Sequence, residues 1–363
     1  MEKLNMISGK IKGIIFSVLT ISVLTSSTIY VQAYTPDILV YYSTTVNLRL
    51  RSQPSTDAFS IRTVPRGTHV RVLYRGNGEW YRVYTGGTIG YMYAEFLEFA
   101  TYRRPGMPAY AAGSVTVMDA NTGEVLYENN QHMRRYPASI TKLMTALVAM
   151  DQVEHVYELV FFSPTAVAIP RNASNIRMRT GDFLSVNDAL HGLLLASGND
   201  VARGLAEHVS GNIADFVSLM NQKALEIGAV NTRFINPCGM PGRGQHTTSY
   251  DMALIMQEVS RNPVLRQIIS TSEFRISPTP SNHEGRTLRN LNRLINPQAA
   301  EFNSKVVGGK TGFTSAAQNT IVTYSYVNGR AVIVSALHVR GRANLFEDTT
   351  YLLRFVADQT NQD

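Results

Sequence analysis

The feature that most constrains this chain is a pair of strand hairpins standing at opposite ends of a long helical segment. At the near end, Ser114-Val115-Thr116-Val117-Met118-Asp119 reads as a strand, Asn121-Thr122-Gly123 as a turn, and Glu124-Val125-Leu126-Tyr127 as the returning strand. At the far end, residues 320–326 and 331–337 alternate as paired strands around Asn328-Gly329. Between them, apolar positions recur at helical spacing over residues 189–196, 201–209, 213–227 and 250–259, with Gly228 placed to stop one helix. Residues 345–357 read as a closing helix. Strands that open and close a domain with a helical middle predict an α/β arrangement. An antiparallel sheet is assembled from both ends of the segment, beside a helical subdomain.

The helical part begins with Tyr136-Pro137-Ala138-Ser139-Ile140-Thr141-Lys142-Leu143-Met144-Thr145-Ala146-Leu147. Pro137 suits the start of a helix, and Leu143, Ala146, Leu147 and Met150 recur at helical spacing. Ser139 and Lys142 stand three apart, so both side chains lie on one face of the first turn. A serine there sits in the positive end of the peptide dipole, which favours an oxyanion beside it. Serine is a weak nucleophile without a base, and a desolvated lysine one turn away supplies one. For a lone Ser-x-x-Lys, a capped helix with a solvated lysine is the commoner explanation. Composition shifts that balance, because the chain holds 27 Arg and only 7 Lys. Outside Lys3, Lys10 and Lys12 there remain Lys142, Lys223, Lys305 and Lys310. Arginine keeps its proton in a protein, so a catalytic base must be lysine where a surface charge need not be.

Lys3, Lys10 and Lys12, an apolar run over residues 14–24, and Val31-Gln32-Ala33 together have the pattern of a signal peptide spanning 1–33. The rival is an uncleaved anchor. Ser17, Thr20 and Ser22 interrupt the run and Thr25-Ser26-Ser27-Thr28 ends it, so it is short for a membrane span. An exported, extracellular protein is expected, without a stable membrane anchor. Loss of the leader removes three lysines and Glu2 and takes the formal charge from +7 to +5. That mild excess permits contact with anionic polymers but is more often a solvated face, and no nucleic-acid partner is expected. Cys238 is the only cysteine, so no internal disulfide is possible, and it reads as a small packing residue. Asp200 and Lys223 read as structural and solvated residues. The 8 histidines are scattered with no His-Glu-x-x-His pattern, and neither metal nor cofactor is expected.

Residues 38–99 carry short strands with tight turns. Val46-Asn47-Leu48-Arg49-Leu50-Arg51 alternates, Pro65-Arg66-Gly67 turns, and Glu79-Trp80-Tyr81-Arg82-Val83-Tyr84 and Ile89-Gly90-Tyr91-Met92 follow Gly76-Asn77-Gly78 and Gly86-Gly87. On Val46-Asn47-Leu48-Arg49, Pro54-Ser55, Pro65-Arg66-Gly67, Trp80-Tyr81-Arg82-Val83, Gly90-Tyr91 and Phe96-Leu97, this stretch resembles bacterial SH3-type domains. Leu50 is an insertion relative to their usual Leu-Arg. The resemblance implies a small all-β SH3-like barrel that binds the cell wall. Trp80, Tyr81 and Tyr91 either line a peptide groove or fill the small core. Phe99 to Ala112, with Arg103-Arg104-Pro105-Gly106 and Pro108, reads as a linker.

Ser139-x-x-Lys142, Ser197-Gly198-Asn199 and Lys310-Thr311-Gly312 follow one another in the order of the three-part signature of penicillin-binding serine acyl transferases. Residues 113–357 resemble the D-alanyl-D-alanine carboxypeptidases. Supporting stretches are Asp119-Ala120-Asn121-Thr122-Gly123-Glu124, Leu194-Leu195-Ala196-Ser197-Gly198-Asn199-Asp200, Phe234-Ile235-Asn236-Pro237 and Gly309-Lys310-Thr311-Gly312-Phe313-Thr314. The resemblance implies an α/β penicillin-binding, β-lactamase-like transpeptidase-type domain. It implies an order of signal peptide 1–33, SH3-like domain 34–99, linker 100–112 and catalytic domain 113–363. It implies removal of the terminal D-alanine from peptidoglycan stem peptides, with acylation of the same site by β-lactams. Ser139 is then the nucleophile and Lys142 its base, with a pKa lowered by burial and by Lys310. Ser197 relays a proton, and Asn199 holds the substrate amide. Lys310 and Thr311 receive the terminal carboxylate, Gly312 allows close approach, and the backbone N–H groups of Ser139 and Phe313 form the oxyanion hole.

Departures from the family pattern are Cys238 for the usual His, Gln318 for Gly, Val307 for Asp, and Leu345 where many members carry a carboxylate-binding Arg. Arg340 or Arg342 is the candidate substitute for that arginine. The chain ends after the closing helix, without the further β domain and amphipathic helix often found in the family, and a soluble or wall-associated enzyme is expected. The nearest rival is an endopeptidase cutting peptidoglycan crosslinks. A serine β-lactamase is disfavoured, since no Glu-x-x-Leu-Asn stretch follows Ser197-Gly198-Asn199. A wall-binding protein with a degenerate site is disfavoured by the intact motifs.

Overall fold

The alternating and helical patterns above resolve into two compact units, residues 1–103 and 104–363. The computed structural model describes residues 40–74, 79–85, 88–99 and 111–360. The leader, most of the expected linker, and the turns Gly76-Asn77-Gly78 and Gly86-Gly87 lie outside these described residues.

In the first unit the strands are β1 (Val40–Thr44), β2 (Leu48–Arg51), β3 (Ser60–Val64), β4 (His69–Tyr74), β5 (Trp80–Thr85), β6 (Thr88–Tyr93) and β7 (Leu97–Phe99). They form one antiparallel sheet in the order β3-β2-β6-β5-β4-β1-β7. Leu48, Leu50, Val64, Val70, Val83 and Met92 fill its core. The inserted Leu50 therefore extends the in-out alternation of β2: both leucines are buried while Arg49 is exposed. Gly90 makes room for it, because a Cβ there would stand 2.8 Å from the Leu50 side chain. Trp80, Tyr81 and Tyr91 are half-buried. Trp80 meets Tyr93 edge-on at 5.2 Å, and Tyr81 meets the core residue Tyr42 at 5.6 Å.

The second unit opens with β8 (Ala112–Asp119) and β9 (Val125–Asn129), then a 3₁₀ turn over Ala138–Thr141 that runs into α1 (Lys142–Gln152). There follow β10 (Leu159–Phe161), α2 (Pro164–Val167), β11 (Phe183–Ser185), α3 (Val186–Leu194), α4 (Asn199–Ser210), α5 (Ile213–Glu226), α6 (Ser249–Arg261) and α7 (Pro263–Ser270). The unit closes with β12 (Glu273–Ile276), β13 (Arg286–Arg289), β14 (Val306–Thr314), β15 (Gln318–Val327), β16 (Arg330–Val339) and α8 (Arg342–Thr360). The main sheet has the order β14-β15-β16-β8-β9. The two hairpins meet where β16 pairs antiparallel with β8, Val334 opposite Val117 and Ser335 opposite Thr116. The sheet is thus built from both ends of the unit.

Alternation divides the sheet into two faces. Val115, Val117, Val332 and Val334 pack with Leu345, Phe346 and Leu353 of α8. Met118, Ile333, Val322 and Leu337 join the core of the helical layer, which surrounds α1. Side-chain spacing predicts one apolar face for α1, but every residue from Lys142 to Ala149 is buried. A helix enclosed on all sides is a core helix, and each Leu or Met it buries contributes about 1.5–3 kcal/mol. The same enclosure removes its one lysine from water. Expected helix starts move by a few residues. Ser185 caps α3 by accepting from Asp188 N, and Thr248 caps α6 by accepting from Asp251 N, so both helices begin earlier than periodicity alone suggests. Gly228 stands past the end of α5 with φ 81°, as a helix stop requires.

Candidate active site

The turn before α1 presents Ser139 in a conformation that sequence periodicity did not reveal. Ala138 has φ 52°, a left-handed conformation unusual for a residue with a Cβ, and Ser139 sits within the 3₁₀ turn rather than in the α-helix. Such strain persists only when neighbours hold it. Here the Thr320 hydroxyl donates to Pro137 O at 3.0 Å and the Thr145 hydroxyl to Pro237 O at 2.7 Å. Gly239, at φ 86°, lies so close that a Cβ on it would stand 1.8 Å from Ala138 O. Asn236 fixes that glycine turn by accepting from the N–H of Cys238, Gly239 and Met240 at 3.1, 2.8 and 3.1 Å.

Lys142 is fully buried one turn beyond Ser139. Its Nζ lies 3.2 Å from Ser139 Oγ, 2.6 Å from Asn199 Oδ1 and 2.8 Å from Cys238 O. Burial pushes its pKa down to about 8, against the opposing influence of Cys238 and Asp200. A neutral lysine has two N–H donors and one lone pair. Asn199 Oδ1 and Cys238 O can only accept, so they take both donors. The lone pair is left facing the Ser139 hydroxyl, which is the arrangement a general base needs.

Ser197 and Asn199 flank Gly198 at the start of α4. Ser197 has φ 60°, and a Cβ on Gly198 would meet Asp200 and Val201 at 2.9 Å. Lys310, on edge strand β14, is 1% exposed and donates to Ser197 Oγ at 3.1 Å and to Thr311 O at 2.8 Å. Its pKa is driven well below the usual lysine value, by burial first and then by the charge of Lys142. The repulsion between the two ammonium groups is mutual, and burial is the leading cause of the lowered pKa of each. Gly312 brings the strand edge onto Ser139, since a Cβ there would stand 2.7 Å from Ser139 N and 2.6 Å from Thr320 Oγ1. Thr311 is half-buried with its hydroxyl unbonded among the described residues, and the Phe313 side chain is 62% exposed.

The three motifs therefore converge on one cluster. Sequence reasoning missed the Cys238 carbonyl as a partner of Lys142. The Cys238 thiol is buried, with its pKa raised chiefly by burial, and the useful atom is the backbone oxygen. Asp200 is structural, as expected: it is 1% exposed and accepts from the N–H of Ile176, Met178 and Val201 at 3.0–3.2 Å. Lys223 is not merely solvated, since it pairs with Asp151 at 2.6 Å. Leu345 is 2% exposed within the α8 core. Arg340 and Arg342 are exposed and make no side-chain hydrogen bond or ion pair among the described residues.

Comparison with known proteins adds to this geometry. Residues 101–341 match the family described as D-alanyl-D-alanine carboxypeptidase, and residues 46–98 match the bacterial SH3 domain. The D-alanyl-D-alanine carboxypeptidase DacF of Bacillus subtilis is 34% identical over 214 residues, covering 58% of this chain and 53% of that protein. This chain thus spans about half the length of that relative. The D-alanyl-D-alanine endopeptidase of Pseudomonas aeruginosa is 34% identical over 250 residues, 68% of this chain and 77% of that protein. The crystal structure of a D-alanyl-D-alanine carboxypeptidase from Mycobacterium tuberculosis superposes with a TM-score of 0.63 at 27% identity, covering 71% of this chain and 96% of that one.

Proposed function

The chain belongs to the D-alanyl-D-alanine carboxypeptidase family, and from that premise we propose that it removes the terminal D-alanine from peptidoglycan stem peptides through an acyl-enzyme on Ser139. The observation that carries this reading is the buried, depressed Lys142, with both of its donors taken and its lone pair towards Ser139 Oγ. Ser139 Oγ attacks the carbonyl carbon between the two D-alanines while its proton passes to Lys142 Nζ. The oxyanion is received by the backbone N–H groups of Ser139 and Phe313, which Gly312 brings together. Ser197, bonded to Lys310, delivers a proton to the leaving nitrogen as the C–N bond breaks. D-alanine departs, leaving an ester. Water then attacks the ester, giving the shortened peptide acid and restoring the serine.

Lys310 and the unbonded hydroxyl of Thr311 receive the substrate's terminal carboxylate, and the side-chain amide of Asn199, whose Oδ1 holds Lys142, holds the substrate backbone. A bound carboxylate restores the proton that burial disfavours on Lys310. The same serine is acylated by β-lactams and forms a long-lived adduct, because no Glu-x-x-Leu-Asn stretch, the source of a β-lactamase's deacylation base, follows Ser197-Gly198-Asn199. The N-terminal unit tethers the exported enzyme to the wall.

A second reading, cleavage of crosslinks, is favoured by the Pseudomonas aeruginosa relative, named an endopeptidase at the same 34% identity. Assay of a free pentapeptide against a crosslinked dimer separates the two. Release of D-alanine from the pentapeptide at the higher kcat/KM supports the carboxypeptidase, and preferential opening of the dimer replaces it with the endopeptidase.

A further inference from the structure

A cavity of ≈ 300 Å³ opens beside the start of α4, lined by Arg171, Asn175, Arg177 and Arg179, with Asp200, the residue after Asn199, in its wall. The three guanidinium groups are exposed and have no ion-pair partner among the described residues. The carboxylates nearby are committed elsewhere. Asp200 is occupied by the backbone N–H groups of Ile176, Met178 and Val201. Asp182 accepts from Arg179 N and from Ser281 N and Oγ. A fourth guanidinium, that of Arg286, donates to the Ile176 carbonyl of the same loop, and its Nε is buried without a partner. Burial lowers the pKa of Arg286, and the charges of Arg177 and Arg179 lower it further, against Asp182 and Asp200. In the lining the three guanidinium groups outnumber the one carboxylate, that of Asp200; like charges gathered round a concavity repel one another, and an entering anion relieves that repulsion. Arginine forks match carboxylate oxygens two at a time.

We propose that this arginine-lined cavity is a second anion subsite, which takes a side-chain carboxylate on the acyl portion of the substrate peptide. It is separate from the clamp of Lys310 and Thr311. The inference rests on the peptidase reading above. Two observations favour the substrate over an unrelated ligand. The cavity wall and the catalytic cluster are one piece of backbone: Asp200 follows Asn199, whose Oδ1 holds Lys142 and whose N–H donates to Ser174 O at 2.9 Å. The volume, ≈ 300 Å³, suits one side chain rather than a polymer.

The test compares two acyl-D-alanyl-D-alanine peptides, identical except that the side chain before the first D-alanine ends in a carboxylate or in its primary amide. The full chain is expected to favour the carboxylate peptide in kcat/KM by roughly tenfold, the scale of one charge-assisted bond. In the Arg177→Gln/Arg179→Gln double variant, checked for an unchanged Tm, the ratio collapses towards one through KM. A wild-type ratio near one, or a ratio that survives in the double variant, overturns the proposal. So does inorganic polyphosphate inhibiting the wild type alone while the peptides are not distinguished, which assigns the cavity to a polyanion. If the wild type releases D-alanine from neither peptide, the peptidase reading fails on its own. Calorimetry on the Ser139→Ala protein then still decides: tighter binding of the carboxylate peptide, lost with the arginines, supports the subsite, and equal binding overturns it.

Discussion

At the scale of single residues, the proposed chemistry depends on a lysine that has lost its water. Lys142 must be neutral to take a proton, so activity rises as pH climbs through its folded pKa. With that pKa at about 8, kcat/KM is expected to show an acid limb near pH 8, falling tenfold per unit well below it. A pH–rate profile checks this, and a limb near the ordinary lysine value would mean a solvated amine. Two glycines are equally exposed to test. Gly239→Ala adds a Cβ where 1.8 Å separates it from Ala138 O, at a φ of 86°. Gly312→Ala presses on Ser139 N at 2.7 Å. Each is expected to slow acylation by at least about a hundredfold, the loss that roughly 1 Å of misplacement brings, read as the rate of acyl-enzyme formation. The pairing of Ser139 with Lys142 was legible in the sequence because the two stand three apart at a helix start, in a chain where lysine is scarce. The Cys238 carbonyl was not, because a backbone oxygen leaves no side-chain signature. The nearest signal was the glycine following it, which marks a turn but not what the turn faces.

At the scale of elements, the site is a junction between a core helix, an edge strand and a loop tied down by one carboxylate. Asp200 holds residues 176 and 178 to the start of α4 and also raises the pKa of Lys142. Removing its charge therefore lowers the lysine pKa, and Asp200→Asn is expected to move the acid limb of the pH–rate profile below 8. Asp200→Ala goes further, leaving three backbone N–H groups unmet at about 1–3 kcal/mol each if buried. Its Tm is expected to fall by roughly 5 °C or more by calorimetry. An unchanged Tm would show that the loop is held by other contacts. The long hairpins β8–β9 and β15–β16 were readable because a turn with glycine joins each pair. The pair β10 and β11 was not: each has three residues, and α2 lies between them. Over three residues no periodicity can register. The short helix α7 escaped for a similar reason, although Asn262 and Pro263 supply its start signal.

At the scale of the whole molecule, two units of different patterning share one chain. The change from short strands with tight turns to long hairpins around helices made that division visible, since each pattern buries its own core. If the N-terminal unit serves as a tether, residues 104–363 alone are expected to release D-alanine from a soluble peptide within about twofold of the full chain. They should lose retention on isolated cell walls, measured by co-sedimentation; undiminished retention would remove the tether role. The central claim is that one hydroxyl, made reactive by one desolvated amine, carries the reaction. Its most direct test is mass spectrometry of the full chain after treatment with benzylpenicillin, followed by peptide mapping. The account predicts a mass gain of one intact penicillin, placed on Ser139, persistent over hours, and missing from both Ser139→Ala and Lys142→Met. An adduct on another residue, or one that forms undiminished in either variant, contradicts it.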